Sequence, residues 1–160
     1  MFILFVINSI FTFSLRGEAE PRQVISGLVK HVPIEQMKNR KVVMIANLKP
    51  AKMRGITSYG MVLCAKEGEK GAEKVQLIRV PDCAQPGDII TTDDFLGENW
   101  SDADVQMNPK KKIFEQVAPE LMTNGANVAC YRGKPLLIKG KEEQTRGKFV
   151  SDSIANAPMS

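Results

Sequence analysis

The sequence predicts a mainly β fold, a small barrel or sandwich, with a small α+β layer after it. Three observations predict it. Short apolar runs of strand length recur along the chain. Pro- and Gly-marked turns separate them, and helical spacing is confined to one stretch after Asn108. At 160 residues with 43% apolar composition, the chain can bury one ordinary core.

Taken in order, Gln23–Val29 reads as a strand ending at Gly27, and Pro33–Lys38 as a short helical turn opened by proline. Lys41–Leu48 carries Val42, Val43, Met44, Ile45 and Ala46 in succession, which suits a strand buried on both faces. Tyr59–Ala65 is the next strand, and Lys66–Glu73 is a charged hairpin tip. In Lys74–Val80, Val75, Leu77 and Arg79 alternate with Gln76 and Ile78, a strand period. Pro86-Gly-Asp88 turns the chain into Ile89–Ile90. Asn108 and Pro109 are an N-cap and first-turn pair, and Ile113, Phe114, Val117 and Leu121 share one helical face. Pro119 ends or kinks that helix. Val128–Tyr131, Pro135–Lys139 and Lys148–Val150 are short strands, and the tail from Ser151 reads as loose. No repeat or low-complexity tract is present.

Residues Met1 to Leu15 are strongly apolar and admit three readings. The run is shorter than the roughly twenty residues of a membrane span. As a secretory leader it lacks a preceding basic residue and a clean small-x-small site. As a strand it is supported by Phe11, Phe13 and Leu15 alternating with Thr12 and Ser14.

The net charge is +4, and its distribution says more than its total. From Lys30 to Arg54 the only acid is Glu35, whereas Lys66 to Asp104 is predominantly acidic and Lys110 to Lys148 is again basic. That polarity suits one face for a polyanion; solvated charge runs are the bland alternative. Cys64, Cys83 and Cys130 show neither C-x-x-C spacing nor an even count, so no zinc site or disulfide framework is indicated. Cys64 and Cys130 lie in apolar runs as small hydrophobes, which fits a reducing compartment.

Nothing in the sequence carries an enzyme signature: there is no Gly-rich dinucleotide fingerprint, Walker loop, nucleophile elbow or H-E-x-x-H. Asp93 and Asp94 are adjacent, so a strand would point them to opposite faces. His31 stands alone and reads as structural. The expectation is a non-enzyme with no catalytic residue, metal, cofactor or small-molecule substrate.

The chemistry sits instead in Asn47-Leu-Lys-Pro-Ala-Lys-Met-Arg-Gly55 and the following Ser58-Tyr-Gly-Met61. Lys49, Lys52 and Arg54 lie on a connector between two apolar runs, where cations can meet phosphate without building core. Arg54 could also stack on a base. Tyr59 could do the same or be packed, and Trp100, among acids, is a poor candidate. Lys110, Lys111 and Lys112 occupy the first turn of the expected helix, where cations oppose its dipole at about 0.3–1 kcal/mol each. Free backbone N–H groups and lysines converging there suit an anion, with tolerated surface lysines as the alternative.

These segments, together with Val24-Ile-Ser-Gly-Leu28 and Asn108-Pro-Lys-Lys-Lys112, resemble the structure-nonspecific tRNA-binding module. That family includes endothelial monocyte-activating polypeptide II and the C-terminal appendices of some tyrosyl- and methionyl-tRNA synthetases. The resemblance runs from about Gly17 to the end. It implies an OB-fold barrel over residues 17–92, with its first strand missing or replaced by the apolar segment 1–16. It also implies an extension over 93–160 like that of the named polypeptide, packed to make a monomeric pseudo-dimer. Thr12–Arg16 would pair with Gln23–Leu28, and Met1–Ile7 would stand in for the first strand. By the same resemblance Asn47, Ser58 and Met61 join the RNA-binding residues, although Met61 read alone favours packing. The implied function is sequence-tolerant, cytoplasmic tRNA binding for an aminoacyl-tRNA synthetase. A secreted cytokine-like protein and a synthetase-complex scaffold with weak RNA affinity are the alternatives.

Overall fold

The computed structural model describes residues 4–8, 12–13, 22–53, 55–69, 72–97, 106–140 and 147–160, the first two segments by backbone alone. Strand β4, Lys41–Ile45, lies at the centre and is buried from Val42 onward. The pleat sends its side chains alternately to opposite faces. Val43 and Ile45 therefore enter one core, while Val42, Met44 and the following Ala46 enter a second. A strand buried on both sides has no polar face to show, which is why the sequence reads as an unbroken apolar run. It stops at Ile45, three residues before the expected end.

Around β4 runs a five-stranded sheet in the order β14–β10–β1–β4–β7, with β1 at Leu4–Asn8, β7 at Met61–Val62, β10 at Ile89–Thr91 and β14 at Leu137–Ile138. Strand β1 pairs antiparallel with β4 from Leu4↔Ile45 to Asn8↔Lys41, and with β10 at Leu4↔Ile90. Of the three N-terminal readings, the backbone over Leu4–Asn8 adopts the strand. Thr12–Phe13, β2, pairs with Arg22–Gln23, β3, in the register Thr12↔Gln23. The other residues of Met1–Leu15 lie outside the described residues, as does Trp100. The fold is mainly β, as expected. Among the described residues the sheet has two edges, β7 and β14, and is not closed into a barrel.

Several elements differ from expectation for local reasons. The strand expected over Gln23–Val29 ends at Gln23, because Ile25 N–H donates to the Ser58 hydroxyl at 2.9 Å instead of to a ladder. The chain then turns through a 3-10 turn at Leu28–Lys30 and the short helix α1, Ile34–Met37. Tyr59–Ala65 divides at Leu63: β7 pairs with β4, and β8, Cys64–Glu67, pairs with β9, Lys74–Leu77. Past Leu77 the chain changes core, since Val75 and Leu77 pack in the second cluster and Ile78 in the first. Asp93 and Asp94 lie in a 3-10 turn rather than on a strand, and Asp94 pairs with Lys134.

The long helix breaks into a 3-10 turn at Pro109–Lys111, the helix α2 at Ile113–Val117 and a second 3-10 turn at Ala118–Glu120. Lys112, with φ of 47°, and Pro119 are the breakpoints. Leu121 belongs to no helix; it opens β11, Leu121–Thr123. That strand forms a three-stranded sheet with β12, Ala129–Tyr131, and β13, Lys134–Pro135. The expected Lys148–Val150 strand reduces to bridges from Val150 to Arg79 and Val128, with Phe149 wholly buried between them.

The tail from Ser151 is not loose. Ile154 and Met159 are fully buried, and Cys64 and Ser160 exchange backbone hydrogen bonds of 3.3 and 2.9 Å. Met159 N–H reaches Leu121 O at 2.8 Å, so the tail is stitched between β8 and β11. No helix among the described residues is long and apolar enough to cross a membrane.

Candidate nucleic-acid interface

Past β4 the chain leaves the sheet at Asn47 and returns through a hairpin of β5, Ala51–Met53, and β6, Ile56–Ser58. The register Ala51↔Ser58, Lys52↔Thr57 and Met53↔Ile56 settles which side chains share a face. Ala51, Met53, Ile56 and Ser58 lie on one side, and Lys52 lies on the other. Gly55, at the turn, has φ of +84°, a left-handed conformation that a Cβ disfavours.

The expected site residues divide into those that face solvent and those that position them. Lys49 and Lys52 are exposed. Asn47 and Ser58 are only 3% and 4% exposed. The Ser58 hydroxyl accepts from Ile25 N–H and donates to Gly60 O at 3.0 Å, tying the 25–28 segment to the hairpin. Met61 is half-buried and packs against the first core. Arg54 lies outside the described residues. Not every cation of the basic block is available to a partner, because Lys41 Nζ donates to Asp82 O at 3.1 Å and Ala84 O at 2.7 Å.

Lys110, Lys111 and Lys112 are exposed, but the N-terminal anion site expected of them is not built. They occupy a 3-10 turn and its exit rather than the first turn of an α-helix. Their backbone donors are already used: Lys110 N–H on Asn108 Oδ1 at 3.0 Å, Lys111 N–H on Asn108 O at 3.1 Å and Lys112 N–H on Pro109 O at 3.2 Å. What remains is three ammonium groups. The tertiary fold gives them a neighbour, because Met107 N–H donates to Asn47 O at 2.6 Å. That bond fastens the connector bearing Lys49 to the segment leading into Lys110–Lys112.

Between the 25–28 segment, the hairpin and β7–β8 lies an open groove of about 390 Å³. Ile25, Leu48, Met53 and Met61 supply apolar wall, and Lys49 and Lys66 supply charge. Lys66 escaped the sequence reading because it looked like part of a solvated hairpin tip. Its signal was strand alternation with Cys64, which puts both on one face of β8. His31, expected to be structural, is exposed and also lines the groove, as does Glu73. Among the described residues no cluster of His, Cys, Asp or Glu is gathered to hold a metal.

Two features of this face carry predictions. A Cβ on Gly60 would meet Ile45 O at 2.9 Å and Met44 Sδ at 3.0 Å, so β7 approaches β4 only because residue 60 has no side chain. Gly60→Ala should cost about 1–3 kcal/mol, read as a lower urea midpoint; an unmoved midpoint would mean that β7 can shift without loss. Cys64 lies on the groove floor, and burial pushes its thiol up from 9.0 to about 12 against the opposing charges of Lys66 and Arg40. The thiolate is the reactive form. Ellman's reagent at pH 8 should therefore modify half-buried Cys83 first and Cys64 only on unfolding. Because folding raises this pKa, its contribution is complete below pH 9 and fades as pH climbs toward about 12. Rapid native labelling of Cys64 would contradict that picture.

The fold is that of a small β domain with exposed lysines on its connector and hairpin. Comparison with known proteins narrows the class. Residues 14–89 match the model of the family described as putative tRNA binding domain. The chain is 54% identical over 125 residues to the mouse (Mus musculus) aminoacyl tRNA synthase complex-interacting multifunctional protein 1, covering 78% of this chain and 38% of that protein. It is 41% identical over 150 residues to the tRNA-aminoacylation cofactor arc1 of Schizosaccharomyces pombe, covering 90% and 32%. With the cytoplasmic methionine–tRNA ligase of Caenorhabditis elegans it shares 44% over 129 residues, covering 81% and 13%. The chain thus spans well under half the length of these relatives. Its fold matches the crystal structure of the C-terminal domain of Plasmodium vivax p43, with a TM-score of 0.77 at 22% identity over 99% of this chain and 96% of that one.

Proposed function

We propose that this chain binds tRNA with little sequence preference and so holds it for an aminoacyl-tRNA synthetase in the cytoplasm. The observation that carries the reading is the Asn47–Met107 bond, which brings two lysine clusters distant in sequence to one neighbourhood. Lys49, Lys52, Arg54 and Lys110–Lys112 contact phosphates in this reading. Asn47 and Ser58 act through the backbone they hold, and Met61 through the groove wall. Such contacts carry no base information, so the binding is broad rather than selective. The names of the mouse, fission-yeast and nematode relatives support both the RNA and the synthetase as partners. The chain works as a monomer in this reading, its C-terminal layer covering the β10 edge with β14.

The test is tRNA binding by the purified chain across a salt series. Engaging six cations should make log K fall with log salt at a slope of roughly 4–5. Binding that ignores salt, or no binding at low salt, would overturn the reading. A scaffold role is the second reading, supported by the name of the mouse relative as a synthase complex-interacting protein. It would be seen as co-purification with a synthetase that survives nuclease treatment.

A further inference from the structure

We propose that the groove beside Lys49 receives one unstacked nucleobase from a single-stranded stretch of the bound RNA, with its flanking phosphates on Lys49 and Lys66. This rests on the tRNA-binding reading and adds to it a contact that is not with phosphate. The groove's 390 Å³ falls within the roughly 300–1,000 Å³ of small-ligand sites. Its walls are apolar where a flat ring would lie: Ile25, Leu48, Met53 and Met61 line it. Thioethers are polarisable and adapt to aromatic faces. Met53 is 44% exposed, so one of them stands at the open side.

Ser26, Ser58, His31 and Ser160 are the uncharged polar side chains of the lining, and one of them is already engaged. The Ser58 hydroxyl, which lines the groove, already accepts from Ile25 N–H and donates to Gly60 O. A base held mainly by dispersion and stacking is bound with little regard to its identity. Charge then selects the occupant. Among the side chains of the lining, Lys49 and Lys66 outnumber Glu73, and an uncharged apolar ligand would make no use of them. A nucleotide uses both the wall and the ammonium groups. The hairpin register sends Lys52 to the opposite face, so phosphate binding and base capture are separable on this molecule.

The experiment uses the full chain labelled at its methionine methyls with carbon-13. It is titrated at low salt with a single-stranded hexaribonucleotide and with a blunt RNA duplex of equal strand length. The single strand should shift the Met53 and Met61 signals and leave Met122, exposed on β11, in place. The duplex should bind in a salt-sensitive way without moving them. Ala51→Leu, which adds bulk at an exposed groove position without offering a ring to stack on, should weaken the single strand about tenfold and leave the duplex unchanged. Bound single strand with unmoved Met53 and Met61 methyls overturns base capture and leaves phosphate binding standing. Failure of both RNAs to bind overturns the underlying reading as well.

Discussion

Replacing Lys49, Lys52 and Arg54 together by Gln should weaken tRNA binding by on the order of 100-fold, at about 1 kcal/mol per lost charge-assisted contact. The loss should be similar across tRNA species, because phosphate contacts position a nucleic acid without reading it. The salt slope should fall by roughly 2–3 as the three counterion-releasing contacts go. Lys49 and Lys52 are solvent-exposed on the connector and hairpin, and neither belongs to a core cluster. Thermal stability should therefore stay within about 0.5 kcal/mol of the parent for those two positions. Lys52 separates from Lys49 by face, so Lys52→Gln alone should lower the slope by about one while leaving groove occupancy intact. An unmoved binding curve for the triple variant would show that the connector is not the interface.

The second large effect is on stability, from a segment that looks dispensable. Ile154→Ala with Met159→Ala should destabilise the chain by roughly 4–10 kcal/mol, taking 2–5 kcal/mol for each fully buried large-to-small change. That is comparable with the whole stability of a typical domain, about 5–15 kcal/mol. Both side chains are 0% exposed, and the segment between them closes β8 against β11 through the Cys64–Ser160 and Leu121–Met159 backbone bonds. Urea unfolding followed by circular dichroism checks it. A midpoint near that of the parent would mean that the tail docks without supporting the core. Because Ser160 and Cys64 both line the groove, loss of the tail should also disturb RNA binding.

Legibility in the sequence followed how local each signal is. The run Val42–Ile45 reads as a buried strand, and Val75 and Leu77 can be read from alternation, because period and burial are properties of neighbouring residues. The lysines of the connector were legible for the same reason. The 108–121 stretch was not, because helical spacing of Ile113, Phe114, Val117 and Leu121 also arises when a broken turn packs its apolar side chains on one core. Lys112 in a left-handed conformation leaves no trace in composition. The tail misled because its Ser, Asp, Asn and Pro residues resemble a disordered terminus. Its buried residues alternate with polar ones that satisfy their own backbone, as Ser151 does with Ile154 N–H at 3.0 Å.

The amino-acid sequence by itself determined a mainly β chain, its central strand and its basic segments. Each of these is written in residue type and short-range period. Only the tertiary structure decided which of those cations stand together, since the Asn47–Met107 bond joins segments sixty residues apart. It likewise decided that Lys52 turns away from Lys49, that Lys66 faces the same groove, and that Asn47 and Ser58 are buried. The physical reason is that hydrogen-bond register and side-chain direction are set by which strands meet. That meeting depends on distant parts of the chain burying their apolar faces together.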